Sequence, residues 1–242
     1  MVETCELANM VWIFFDVGST LINEDRFSSL WDQKVHKILE AKGVSWNQYL
    51  KVRREVVISR QVGAGGYRAI AREVFRKFFG DNKVEEGLYE YDRSSLAIQG
   101  NPGGLWHLYS DVKSALRECS AHFSIGIIAN QRKGARKLIE EWGILSFFKA
   151  IAISEDVGFR KPDPYIFRYA LGEAQCDPKN AVMVGDRLDN DIAPANRLGM
   201  KTIHVVRGRL YNVQTPVSQW EIPNSSMKNL RGIGDVADKL LS

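Results

Sequence analysis

Cysteine is scarce: Cys5, Cys119 and Cys176 are the only three in 242 residues, widely spaced and without a CxxC pair. An odd, scattered set argues against a disulfide framework or a zinc site and fits a reducing compartment. Long apolar runs are missing too. No segment approaches about eighteen apolar residues, so no transmembrane helix is expected. The acidic opening MVETCELANM lacks an apolar core, so no signal peptide is expected, and the sequence predicts a cytoplasmic protein. In that setting the Asn224-Ser225-Ser226 sequon carries no meaning. A large charge excess is also absent. Lys+Arg number 33 against 29 Asp+Glu, a formal +4. That is compatible with an anionic substrate but does not argue for nucleic acid or an anionic membrane as a partner. Repeats and low-complexity tracts are absent, and nothing in the sequence indicates the oligomeric state.

What is present is a set of short apolar runs: VWIFF (11–15), FSIGIIA (123–129), AIAIS (150–154), AVMVG (181–185) and TIHVV (202–206). Near-continuous hydrophobicity rich in Val and Ile suits strands buried on both faces. Helix-like stretches separate them, at 133–143, 163–174 and 191–199, the second starting beside Pro164. Strand and helix in alternation predict an α/β fold with a doubly wound, parallel, Rossmann-like sheet. About a hundred residues separate the first two runs, far more than a crossover needs. Phe27, Trp31, Val35 and Ile38 recur at helical spacing there, as do Ile70, Val74 and Phe78. The sequence therefore predicts an inserted helical domain over 23–107, with 1–22 and 108–242 forming the core. Arg68, Arg72 and Arg76 lie off the apolar stripe and read as a solvated face. Gly63, Gly65 and Gly66 mark a hinge or a plain loop. The tail after Leu210 reads as loop, then one short helix.

In an open parallel sheet, ligands bind outside the carboxyl ends of the strands. Asp16 ends the first run, Ala129 and Asn130 end the second, Lys161 follows the third, and Asp186 follows the fourth. Two neighbouring carboxylates repel unless a cation lies between them, and Mg²⁺ suits hard oxygen ligands. A nearby lysine would hold an anionic group. The arrangement suggests metal-assisted attack on a phosphate with Asp16 as nucleophile. Other features have simpler readings. Asp189 reads as an acid stabilising a helix start, and Thr20 either orients the Asp16 loop or satisfies a turn. GIGDVA (232–237) has no strand before it and no βαβ unit after it, so it is not a dinucleotide site. His36, His107, His122 and His204 are scattered and nothing pairs them with a nucleophile.

These residues carry a resemblance. FFDVGSTL, IGIIANQ, GFRKPDPYIF and VMVGDRLDNDIAPANRLGM resemble, in order, the four motifs of the haloacid dehalogenase-like (HAD) hydrolase superfamily. Most of its members are Mg²⁺-dependent phosphatases. The similarity runs from about residue 11 to 209, and the insert resembles the family's helical C1-type cap. The resemblance implies a hydrolase acting on a small phosphorylated metabolite through an aspartyl-phosphate on Asp16. It implies that Asp16, the Gly18 carbonyl and Asp186 bind the metal, with Asp191 as an outer-sphere acid. It implies that Lys161 binds both phosphate and Asp16.

Two positions depart from the family pattern. The phosphatases carry an acid two residues after the nucleophile, where this chain has Gly18. A glycine still offers its carbonyl to the metal, but general acid–base help worth roughly 10² to 10⁴-fold is lost. Ala129 stands where a hydroxyl would bind phosphate, leaving backbone N–H groups and the Asn130 side chain; one such donor can be worth about 3 kcal/mol. Uncompensated, the two losses predict slow turnover of ordinary phosphomonoesters. A substrate whose leaving group needs no proton, such as an acyl phosphate, fits better, or Glu24 or Asp25 supplies the acid. Two other functions remain open. One is a metal-free 2-haloacid dehalogenase, against which Asp186 argues. The other is a non-catalytic HAD-like protein, which Gly18 and Ala129 motivate.

Overall fold

Strands that are apolar on both faces can be buried from either side, and the apolar runs of this chain form such strands. The computed structural model describes residues 10–60, 62, 65–99 and 104–242. Cys5 and Gly63 lie outside the described residues. The strands are β1 (Trp12–Phe15), β2 (Ile22–Asn23), β3 (His107–Leu108), β4 (Ser124–Ala129), β5 (Ala150–Ile153), β6 (Ala181–Gly185), β7 (Lys201–Val205) and β8 (Ser225–Met227). Six of them make one sheet in the order β5-β4-β1-β6-β7-β8, every pair parallel. β1, β4 and β6 are buried at every position, as strands covered by helices on both faces must be. The order reverses at β1: the chain moves out to β4 and β5 on one side, then returns to β6 on the other. A crevice forms at such a switch point, beyond the carboxyl ends of the strands.

β8 departs from the expectation that the tail is loop up to its last helix. Its residues Ser225, Ser226 and Met227 include no apolar run, because an edge strand pairs on one side only and half faces solvent. It is recruited by main-chain pairing with Ile203 to Val205 of β7. The terminal helix spans Ile233–Leu241.

The core helices begin where local chemistry allows. At Pro164–Glu173 the Asp163 carboxylate accepts the Tyr165 N–H at 2.9 Å, and Pro164 occupies the first turn. The stretch expected as a helix over 191–199 starts earlier. A π-helical turn, Leu188–Ile192, runs into a short α-helix, Ala193–Arg197.

The chain divides into two compact units, one of residues 1–23, 108–208 and 216–242 and the other of 24–107 and 209–215. Among its described residues the second holds the α-helices α1 (Asp25–Glu40), α2 (Trp46–Ile58), α3 (Gly66–Phe79) and α4 (Val84–Gln99). Trp31, Val35 and Leu39 of α1 pack with Ile70, Val74 and Phe75 of α3 in its core. Phe27 and Phe78, expected on these stripes, are only partly buried. Residues 209–215 group with the helices because Leu210 is buried among them and Arg209 faces the buried Asp32 carboxylate at 3.6 Å. Each exposed arginine of α3 has an acidic neighbour: Arg68 with Asp92, Arg72 with Glu85, Arg76 with Glu73 and Asp81. Gly66 opens α3 at φ 59, a conformation glycine adopts freely.

Candidate active site

Register brings the acids together. β1 pairs with β6 so that Phe15 faces Val184, and the next residue, Asp16, donates its N–H to the Val184 carbonyl at 2.8 Å. Asp186 follows the last residue of β6, so the two carboxylates leave adjacent strand ends. Asp191 arrives one turn later, where the π-helical turn carries it back toward the strand. One carboxylate oxygen from each of Asp16, Asp186 and Asp191 lies within 4.8 Å of the other two, and all three residues are buried.

Lys161 reaches this cluster from the far side. Its ammonium donates to Asp16 Oδ1 at 2.6 Å, to Asp191 Oδ1 at 2.6 Å and to the Ile128 carbonyl at 2.8 Å. All three ammonium protons therefore have acceptors, which a lysine only 2 % exposed requires. Burial works against the charged lysine, but Asp16 and Asp191 outweigh it and hold its pKa above the ordinary value. Burial pushes Asp16 up to about 6, aided by the nearby Asp191 charge and opposed by Lys161. Three carboxylates against one ammonium leave a formal excess of two negative charges. All-oxygen donors with that excess suit a small divalent cation such as Mg²⁺.

The backbone at each strand end is built for this cluster. Val17 accepts the N–H groups of Leu21 and Ile22 through its carbonyl at 2.9 and 3.0 Å, closing the Asp16 loop. Gly18 is not among the residues with positive φ; the left-handed residue of the loop is Ser19, at φ 52. Backbone strain therefore does not require a glycine at 18. The Arg187 N–H donates to Asp191 Oδ2 at 3.0 Å, and its guanidinium holds Asp189 with N···O distances of 3.1 and 2.7 Å. Asp189 thus has a specific partner besides the helix start. A ring nitrogen of His204 lies 3.1 Å from the Asp186 carbonyl and, facing an acceptor, donates to it.

Ala129 ends β4, fully buried, and Asn130 follows it. The Asn130 amide grips the main chain of Lys161 at both ends: Nδ2 donates to the Lys161 carbonyl at 2.9 Å and Oδ1 accepts the Lys161 N–H at 2.8 Å. A side chain expected to face phosphate is turned instead toward the lysine it positions. The Thr20 hydroxyl is buried without a hydrogen-bond partner, so it does not hold the loop; its carbonyl does, as an acceptor for Arg207. The structure brings Asp16, Asp186, Asp191 and Lys161 together. Arg187, His204 and the Asn130–Lys161 clasp carry no sequence signal beyond standing next to motif residues.

Comparison with known proteins agrees with this geometry. The family model described as "Haloacid dehalogenase-like hydrolase" matches residues 13–205. A protein of Methanopyrus kandleri named glyceraldehyde 3-phosphate phosphatase is 41% identical over 135 residues, covering 54% of this chain and 57% of its own. One of the same name from Methanothermobacter thermautotrophicus is 28% identical over 200 residues, covering 80% of this chain and 84% of its own. Among solved structures, a 2-haloacid dehalogenase from Pseudomonas syringae superposes with a TM-score of 0.59 at 21% identity, covering 95% of this chain and 99% of that one. Fold alone therefore does not separate phosphatase from dehalogenase; the site must.

Proposed function

The chain belongs to the haloacid dehalogenase-like hydrolase family, and we propose that it is a Mg²⁺-dependent phosphatase of a small phosphorylated metabolite. One observation carries the reading: the ligating oxygens of Asp16, Asp186 and Asp191 lie within 4.8 Å, with the Lys161 ammonium bonded to two of them. A displacement without metal has little use for two further carboxylates beside the attacking one, whose charge would oppose its approach to an anion. The relatives named glyceraldehyde 3-phosphate phosphatase support a small sugar or aldehyde phosphate as the substrate class.

Asp16, Asp186, Asp191 and the Gly18 carbonyl would hold the ion, whose charge would draw the phosphate in and offset the negative charge developing on it. Asp16 attacks phosphorus in line with the leaving oxygen, forming an aspartyl-phosphate, and water then cleaves it. Lys161 neutralises the Asp16 loop and, once phosphate enters, shares its protons with a phosphate oxygen. Asn130 keeps the lysine's main chain in register with the β4 end. Because Gly18 offers no proton, the leaving group must depart as an anion or draw its proton from elsewhere. Asp25, one candidate source, has a carboxylate oxygen occupied by the Arg209 N–H at 2.8 Å. A sugar or aldehyde phosphate therefore needs an outside proton donor at this site, whereas an acyl phosphate, whose leaving group is a stable carboxylate, needs none.

Phosphate release across a panel of small phosphorylated metabolites, with and without Mg²⁺, tests the proposal. Mg²⁺-dependent release abolished by Asp16→Asn supports it. Release that persists in Asp16→Asn or in excess chelator refutes it.

A further inference from the structure

Arg207 and Gly208, just past β7, contact the Asp16 loop. The Arg207 guanidinium donates to the Thr20 carbonyl. It also grips both oxygens of Asp111 at 3.0 Å and lies over the Tyr109 ring, 3.9 Å from its centroid. Asp111 accepts the Leu230 N–H as well, at 2.6 Å, which ties the network to the tail. The Arg207 and Asp111 side chains are 8% and 6% exposed, so the pair forms a rigid buried clamp. Gly208 adds an independent contact. It sits at φ +79, and a Cβ there would lie 2.7 Å from the Ser19 Oγ. The loop thus runs between the clamp on Thr20 and the bare backbone of Gly208 against Ser19.

This contact bears on the Gly18 carbonyl. Val17 spends its carbonyl on Leu21 and Ile22, Leu21 on Tyr109, and Thr20 on Arg207. The Gly18 carbonyl takes part in none of these bonds. We propose that Arg207 and Gly208 are positioning residues that fix the Ser19–Thr20 backbone so that the Gly18 carbonyl points to the divalent ion. This rests on the reading of Asp16, Gly18 and Asp186 as metal ligands. Partners that orient ligands typically govern metal affinity by about 10- to 100-fold.

The test is calorimetric titration of the full chain with MgCl₂, beside its melting temperature. Gly208→Ala, which pushes on Ser19 and leaves the Arg207–Asp111 pair intact, is expected to weaken Mg²⁺ binding about tenfold. Adding Ser19→Gly, which removes both clashing atoms but not the strain of an alanine at φ +79, is expected to restore part of it. A general loss of fold would not be rescued in this way. Should Gly208→Ala fail to fold, Arg207→Lys serves. It keeps the charge on Asp111 but loses the fork that also reaches Thr20, and the same weakening is expected. Asp186→Asn separates the two claims. If it leaves Mg²⁺ binding unchanged, the metal reading fails and the proposal with it. If it abolishes binding while Gly208→Ala and Arg207→Lys bind like the parent, or if Ser19→Gly gives no rescue, only the positioning role is overturned.

Discussion

Gly185 and Asp191 are fitted to each other: a Cβ added at Gly185 would lie 2.4 Å from the Asp191 carboxyl carbon. The glycine ending β6 leaves the space into which the π-helical turn folds its acid. Gly185→Ala should therefore displace Asp191 from both Lys161 and the Arg187 N–H. We expect a fall of about 10- to 100-fold in Mg²⁺ affinity or kcat/KM, with about 1–3 kcal/mol of overpacking cost in stability. Metal titration, steady-state kinetics and thermal melting together check this; a variant equal to the parent in all three contradicts it.

Lys161 separates metal binding from chemistry. Lys161→Met removes the ammonium bonded to Asp16 and Asp191. Mg²⁺ should bind at least as tightly as before, because more negative charge faces it. Turnover should fall by about 10²-fold or more, as loss of a donor to a developing oxyanion does. Parallel measurements of Mg²⁺ affinity and phosphate release decide it. Weaker metal binding in the variant would contradict the charge balance described for the site.

How much of this was legible in the sequence depends on what each residue touches. Asp16, Lys161 and Asp186 were visible because each follows a short apolar run, and parallel strands deliver their carboxyl ends to one rim. Partners across the sheet were not visible. Arg207 meets Asp111 over a separation of 96 residues, and Leu230 meets it over 119. No periodicity marks such pairs. Asn130 stood in the right place, but its orientation depends on a main-chain partner 31 residues away. β8 was hidden because Ser225–Met227 is stabilised by pairing with β7 and not by its own apolar content. Residues 209–215 joined the helical unit through the buried Leu210, the partly buried Tyr211 and Val213, and polar contacts of Arg209 and Thr215, none of which forms a pattern that would shift a composition-based boundary.

Gly18 offers a gain-of-function test. Its backbone is not in the positive-φ region, so an L-residue fits its conformation. Gly18→Asp should supply the missing proton and raise turnover of alkyl phosphates by about 10²-fold, while acyl phosphates gain little. Rates across leaving groups of graded pKa check the prediction. Equal gains on both classes would contradict it.

Asp111 predicts a pH dependence of stability away from the Asp16–Asp186–Asp191 cluster. Burial would raise its pKa, but the Leu230 N–H and Arg207 outweigh that and hold it below the ordinary 3.8. A depressed carboxylate stabilises the fold at pH above its unfolded-state value, and that contribution is lost as pH falls through its folded-state value. The melting-temperature gap between parent and Asp111→Asn should thus be widest near neutrality and narrow as pH drops below 3.8. A gap that stays constant on acidification contradicts the assignment.

The central claim is that Asp16 itself becomes phosphorylated. Mixing the chain with acetyl phosphate and Mg²⁺, quenching in acid and mapping peptides by mass spectrometry measures this directly. One phosphoryl group on the peptide containing Asp16, absent with chelator and absent in Asp16→Asn, is the expected result. Phosphate released with no label ever reaching that peptide, or label on another residue, would contradict the account.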